Sequence, residues 1–135
     1  MLVDFRVSNF RSIREEQCLS FTASSDKSHE ETHCMKTGRH EVPRLLRSAV
    51  VYGANASGKS NLIYALMTMQ MLVLNSTRLL EAQYREQFTP FLLDGGSRTG
   101  ATQIEIAVVI GELRYQYGFS FDAERIRSEW LLVYQ

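Results

Sequence analysis

Eight consecutive residues constrain this chain more than any others: Gly53-Ala54-Asn55-Ala56-Ser57-Gly58-Lys59-Ser60, which read G-x-x-x-x-G-K-S. A polyphosphate is held by backbone N–H groups curled around it, and glycine lets the backbone curl that tightly. Gly58 at a helix start aims free amides and the positive end of the helix dipole at an anion. Lys59 adds a point charge for the β- and γ-phosphates, and the Ser60 hydroxyl is a hard oxygen ligand suited to Mg²⁺. The motif makes a demand on its surroundings: it must follow a buried strand and open a helix. Ala49-Val50-Val51-Tyr52 is a short apolar run, expected to form a strand over 48–52 buried on both faces. The loop then spans 53–60. A helix is expected over 59–86, with a break near Asn75-Ser76-Thr77. Its first half is apolar almost all round, which predicts burial on more than one side.

On either side of this unit the hydrophobic period is two, the signature of strands. Val3, Phe5 and Val7 alternate with Asp4, Arg6 and Ser8, giving a strand over 2–8 that Asn9-Phe10-Arg11-Ser12 ends. A second strand covers 18–23, with Leu19 and Phe21 on one face, and could pair antiparallel with the first. Ser24 to Val42 has almost no apolar periodicity and reads as a surface excursion. Later, Ile104, Ile106, Val108 and Ile110 alternate, followed by Leu113, Tyr115, Tyr117, Phe119 and Phe121, with Gly111-Glu112 between. A two-residue loop with glycine first suits a type II′ hairpin turn. Strands over 103–110 and 113–121 then place Ile110 opposite Leu113, Val108 opposite Tyr115 and Ile106 opposite Tyr117, all on one face. A turn at Asp122-Ala123-Glu124-Arg125 leads into a last strand over 126–134. The fold class expected is α/β with an antiparallel β layer, not a purely parallel doubly wound sheet.

Composition narrows the function. With 15 Lys+Arg against 15 Asp+Glu, the 135-residue chain is not a polybasic coat for nucleic acid. Its length fits one domain with an adequate core and no need for a disulfide or metal staple. Cys18 and Cys34 form no C-x-x-C pair, which fits a reducing cytoplasm. The first residues carry Asp4 and Arg6 where a signal peptide needs an apolar core. The longest apolar stretch, Leu62 to Leu74, is shorter than the roughly 20 residues that span a bilayer. A soluble, cytoplasmic protein is expected.

Several weaker signals have a plain reading beside a sharper one. His29, His33, Cys34 and His40 match no standard zinc spacing and read as a solvated loop. Gly95-Gly96-Ser97-Arg98-Thr99-Gly100 lacks a lysine and reads as a flexible connection. Arg11, Arg14, Lys36, Arg44 and Arg47 are scattered, as solvated charges are, with DNA contact the sharper alternative. Met67, Met69 and Met71 read as core filler. Trp130, Tyr115 and Tyr117 read as an aromatic face closing a core, with stacking on a base the alternative.

Gly53 to Asn61 with Leu62 resembles the Walker A of ABC-type ATPases of the SMC, RecF and OLD kind, in the G-x-N-x-x-G-K-S variant that carries Asn55. Asn9-Phe10-Arg11-Ser12 resembles the "NFRS" element of that group, which lies beside the nucleotide. Ala56 in place of a glycine is similar to bacterial AAA/ABC-like ATPases of anti-phage or abortive-infection systems. So are Pro90-Phe91-Leu92-Leu93-Asp94, Tyr115-Gln116-Tyr117-Gly118-Phe119 and Ser128-Glu129-Trp130-Leu131. The resemblance covers nearly the whole chain. It implies a P-loop NTPase fold with a mixed sheet, residues 1–135 being the N-terminal lobe of an ABC-type ATPase head. ATP and Mg²⁺ are the implied cofactors, since the loop itself reads phosphates and not the base. Arg11 and Ser12 would flank the nucleotide, and Gly53, Asn55, Ala56, Ser57, Gly58, Lys59, Ser60 and Asn61 would wrap it, with Ser60 on the metal. A second copy would complete the site in an ATP-dependent dimer, with a nuclease or toxin as effector. No apolar run ending in Asp-Glu and no signature motif occurs within 1–135, so the catalytic residues stay unassigned. The chain alone is expected not to turn ATP over. The other functions kept open are an ATP-dependent scaffold caging an effector and a RecF-type DNA-repair ATPase.

Overall fold

The computed structural model describes residues 1–76, 78 and 80–135. Strand β1 (Leu2–Ser8) is flanked by β2 (Gln17–Ser20) and by β5 (Thr102–Ile110), which continues to β6 (Leu113–Phe121) and β7 (Ile126–Tyr134). The sheet order is β2-β1-β5-β6-β7, and every strand pair among the described residues is antiparallel. The mixed sheet implied by the resemblance is therefore not formed by these residues.

The hairpin register is the one the alternation predicts: Ile110 pairs with Leu113, Val108 with Tyr115 and Ile106 with Tyr117. Gly111 alone of the two turn residues has positive φ, at 60°. That is the II′ arrangement, whose twist matches the flanking strands. The face it creates is not uniformly buried. Ile104 and Phe119 are sealed, while Ile110 is 63% exposed. The reverse face is also covered, at Ala107 and Val109.

Two cores result. On one face, helix α2 (Lys59–Asn75) lays Ala65, Met69 and Leu72 on Phe5, Val7, Ile104, Phe119 and Phe121. On the other, Val3, Ala107 and Val109 meet Val42 and Leu45. Val3 thus parts from Phe5 and Val7, whose alternation placed the three together. The cause is a register shift between Leu2 and Asp4 opposite β5. An extra residue at a bulge turns its side chain to the other face.

The stretch read as a surface excursion also contributes to this second core. It holds the single helical turn α1 (Glu30–His33) and β3 (Cys34–Lys36), which pairs with β4 (Arg44–Leu46). The strand expected over 18–23 stops at Ser20 because the chain changes partners. The Phe21 amide still donates to the Val3 carbonyl, but the Phe21 carbonyl accepts from Leu46 N–H. Such short apolar segments show no period of their own and are recruited by a sheet face that is already apolar.

The helix expected over 59–86 is two helices, α2 and α3 (Glu81–Gln87). α2 stops at Asn75, where a break was expected; Thr77, named in that expectation, lies outside the described residues. Burial on more than one side is not what α2 shows. Ile63, Tyr64, Met67, Val73 and Leu74 are exposed, so the helix has one packed side. Of its methionines, Met69 is core, Met71 packs against the core and Met67 is exposed. The glycine-rich run is likewise not a loose connection. It forms the short helix α4 (Gly95–Thr99), capped by the Asp94 carboxylate, which accepts from the Ser97 amide and hydroxyl, both at 2.9 Å. Those bonds hold the Asp94 carboxyl below its ordinary range.

Trp130 lies on the opposite side of the sheet from Tyr115 and Tyr117, because it pairs with Gly118 and not with a tyrosine. The three aromatics cannot form one stacking platform. The indole N–H donates to Glu105 at 2.8 Å and its ring covers Gly118 so closely that a Cβ there would sit 2.4 Å from Cζ2. Gly118→Ala must therefore push the indole aside. Overpacking of this kind costs about 1–3 kcal/mol. Urea unfolding followed by the fluorescence of Trp130, the sole tryptophan, should show a lower midpoint and an altered native emission.

Among the described residues no helix is long and apolar enough to cross a membrane.

Candidate functional site

The loop is exposed over 53–57 and leads into α2, with the half-buried Gly58 as the residue before the first helical turn. Gly58 sits at φ 90°, ψ 3°, left-handed backbone that L side chains resist. Ala56 is also left-handed, at φ 63°. Two left-handed residues in three turn the chain back on itself. The turn is closed by Ser57 N–H donating to the Ala54 carbonyl at 3.3 Å.

Lys59 occupies the inside of this turn. Its ammonium donates to the carbonyls of Gly53 at 2.8 Å and Ala54 at 2.7 Å, and reaches the Ser57 hydroxyl at 3.4 Å. A cation is thus concentrated at a helix N-terminus, where the first amides have no partner within the helix. No acidic residue lies in the first turn of α2 to neutralise that end. The Ser60 side chain is exposed next to it. These groups fit a polyphosphate with its cation: a charge for the phosphate oxygens, free amides for the anion, and one neutral oxygen for a hard metal.

The strand expected immediately before the loop is not formed. Residues 48–52 carry no strand pairing, and Val50, Val51 and Tyr52 are 84%, 47% and 90% exposed. A strand buried on both faces draws its stability from neighbours on both edges. This segment is not among the paired strands of either sheet and so has no such neighbours.

The segment that carries Arg11 and Ser12 lies beside the start of α2. The Ser12 hydroxyl accepts from the Asn61 side-chain amide at 2.7 Å, and lies 2.9 Å from where a Cβ on Gly58 would fall. The Arg11 guanidinium stands over the Tyr64 ring at 4.3 Å. So Arg11, Ser12, Gly58, Lys59, Ser60 and Asn61 share one region, although some 50 residues separate the two segments in sequence. The exposed Asn55 belongs to the same loop.

Asn9 builds this arrangement, and its role escaped the sequence reading. It is buried, left-handed at φ 50°, and has every polar group engaged. Its side-chain amide donates to the carbonyls of Ser97 at 2.8 Å and Gly100 at 2.7 Å, and its Oδ1 accepts from Phe91 N–H at 3.0 Å. Its carbonyl accepts from the Thr102 hydroxyl at 2.7 Å. One signal was available: asparagine at the end of a strand tolerates left-handed backbone better than other non-glycine residues.

The weaker candidates separate cleanly. Among the described residues no group of three His, Cys, Asp or Glu side chains is placed to hold a metal. Arg44 is a structural staple, paired with Glu30 at 3.0 Å and donating to the Ser24 carbonyl at 2.6 Å. Arg47 donates to the Cys34 carbonyl at 3.2 Å, and Arg14 lies 3.6 Å from Asp94.

Residues 48–134 match the protein family described as "AAA domain, putative AbiEii toxin, Type IV TA system". The chain belongs to this AAA-domain family. The matched span takes in the loop, α2 and the whole β5–β7 layer, and leaves β1, β2 and the turn at 9–12 outside it. No curated protein matches the chain. Membership places the chain among nucleotide-binding domains of the ATPase type, with a P-loop NTPase character.

Proposed function

We propose that this AAA domain binds ATP with Mg²⁺ in the loop over 53–60. Lys59 would lie on the β- and γ-phosphates, Ser60 on the metal, and Arg11, Ser12 and Asn61 along the flank. The observation that carries the reading is the Lys59 ammonium held by the Gly53 and Ala54 carbonyls at the uncompensated start of α2. Hydrolysis needs a group to orient water and charge to stabilise the transferring phosphoryl group. In this reading those come from a second lobe, carrying the Walker B acid, and from a second copy carrying the signature motif. The exposed run Val50-Val51-Tyr52 supports such a lobe, since apolar segments this open are normally covered. ATP would join two copies and hydrolysis would release them. Kinship with SMC, RecF and OLD ATPases and a part in anti-phage defence, acting on a toxin or nuclease, complete the proposal. The family description, with its toxin–antitoxin wording, favours this over a DNA-repair role.

Calorimetric ATP titration of the chain tests the reading, and absence of nucleotide binding overturns it. The metal assignment is tested by Ser60→Ala and Ser60→Thr, each titrated with magnesium and with a chelator. Ser60→Ala should leave metal-free binding nearly unchanged and shrink the magnesium-dependent gain by about 1–3 kcal/mol, the scale of a lost polar contact to a charge. Ser60→Thr keeps a hydroxyl and should behave as wild type. Equal magnesium dependence in all three removes Ser60 from the metal.

A further inference from the structure

The backbone that carries Arg11 is fixed on three sides. Asn9 anchors the strand end, as described. Phe10 and Ile13 exchange N–H···O=C bonds, each at 2.8 Å, and the Arg11 amide donates to the Thr89 carbonyl at 2.6 Å. Arg11 itself is left-handed, at φ 51°. With the Cα held, the direction of the long side chain is the remaining freedom, and the structure shows what restrains it. The guanidinium stands over Tyr64 at 4.3 Å and farther from Phe10, at 5.6 Å. No carboxylate pairs with it among the described residues.

Tyr64 follows Ser60 by four residues and Asn61 by three, so the three share one face of α2. That is the face on which Asn61 already grips Ser12. Stacking on an aromatic ring uses the flat face of a guanidinium and leaves its in-plane N–H donors free. Those donors are the ones that match phosphate oxygens two at a time. We propose that Tyr64 is a positioning residue: it holds the Arg11 guanidinium on the Ser60 face of α2, with its N–H edge available to the phosphate chain of a bound nucleotide. The inference rests on the nucleotide-binding reading above and adds a residue to it that the motif does not contain.

The experiment is a double-mutant cycle on ATP affinity, read by calorimetry in the same chain. Tyr64→Leu keeps apolar bulk but removes the ring, and should weaken ATP binding by about 2- to 5-fold, the range of an exposed cation–π contact. Tyr64→Phe keeps the ring and should bind as wild type. In an Arg11→Ala background, Tyr64→Leu should have no further effect. A second measurement needs no nucleotide: the Arg11 Nε–H resonance should carry a ring-current shift in wild type and Tyr64→Phe that Tyr64→Leu abolishes. Wild-type affinity in Tyr64→Leu, equal losses in Tyr64→Phe and Tyr64→Leu, or a Tyr64→Leu loss that persists without Arg11 each overturn the positioning role. Lys59→Ala separates the two claims. If it loses ATP while Tyr64→Leu does not, the positioning role falls alone; if wild type itself fails to bind, both fall.

Discussion

Lys59→Ala should lose ATP binding by 100-fold or more while the protein keeps its fold. The ammonium makes only exposed contacts to its own loop, with the carbonyls of Gly53 and Ala54. Surface contacts of this kind alter stability by about 0.5 kcal/mol or less, and alanine is the best residue for a helix start of this type to lose nothing further. Against a bound polyphosphate the same ammonium makes charge-assisted hydrogen bonds, each worth about 1.5–3 kcal/mol. Two of them correspond to roughly 10²- to 10⁴-fold in affinity. Calorimetric titration and a thermal melt of the same preparation check both halves. Normal ATP affinity in a folded Lys59→Ala variant would sink the site assignment.

Gly58→Val should damage fold and binding together, and is the most severe single change expected in the loop. The first cost is backbone strain. Gly58 sits at φ 90°, and left-handed backbone costs an ordinary residue about 1–2 kcal/mol, more when the side chain is β-branched. The second is steric: the new Cβ would meet the Ser12 hydroxyl at 2.9 Å. Ser12 cannot turn away freely, because its oxygen accepts from Asn61. Together these suggest a loss of about 2–4 kcal/mol, within the range of strain and overpacking combined. Urea unfolding should show the loss, and ATP titration at low temperature should show binding reduced at least as far as in Lys59→Ala. Gly58→Ala serves as the milder control and should fall between. A Gly58→Val protein that melts like wild type and binds ATP normally would mean the loop neither strains nor cradles as described.

The second expectation turns on a pair of segments that the sequence holds far apart. The octet 53–60 stands out on its own because the chemistry such a motif offers is local: glycine freedom, a lysine and a hydroxyl at fixed spacing suit one ligand. The flank at Arg11 and Ser12 was readable only through resemblance, since nothing in residues 9–12 alone says what they will touch. Tyr64 and Asn9 were not readable at all. Each earns its role from where a distant segment packs, and an exposed tyrosine or a strand-end asparagine is common in any chain.

What the sequence by itself determined were the features governed by neighbours in the chain. These are the β5–β6 register with Gly111 in the turn, the turn into β7, the helix start after Gly58 and its end at Asn75. Turn chemistry and a period of two act over a few residues and leave little for the rest of the molecule to change. Tertiary structure decided which surfaces those elements bury. It sent Val3 to the reverse face, drew Val42, at the end of the polar stretch, into a second core with Leu45, gave α2 one packed side and left 48–52 unpaired. An apolar run carries the same hydrophobic driving force whether it ends as strand, helix or open chain. Which of these it becomes depends on what lies across from it, and that is a property of the assembled sheet and not of the run.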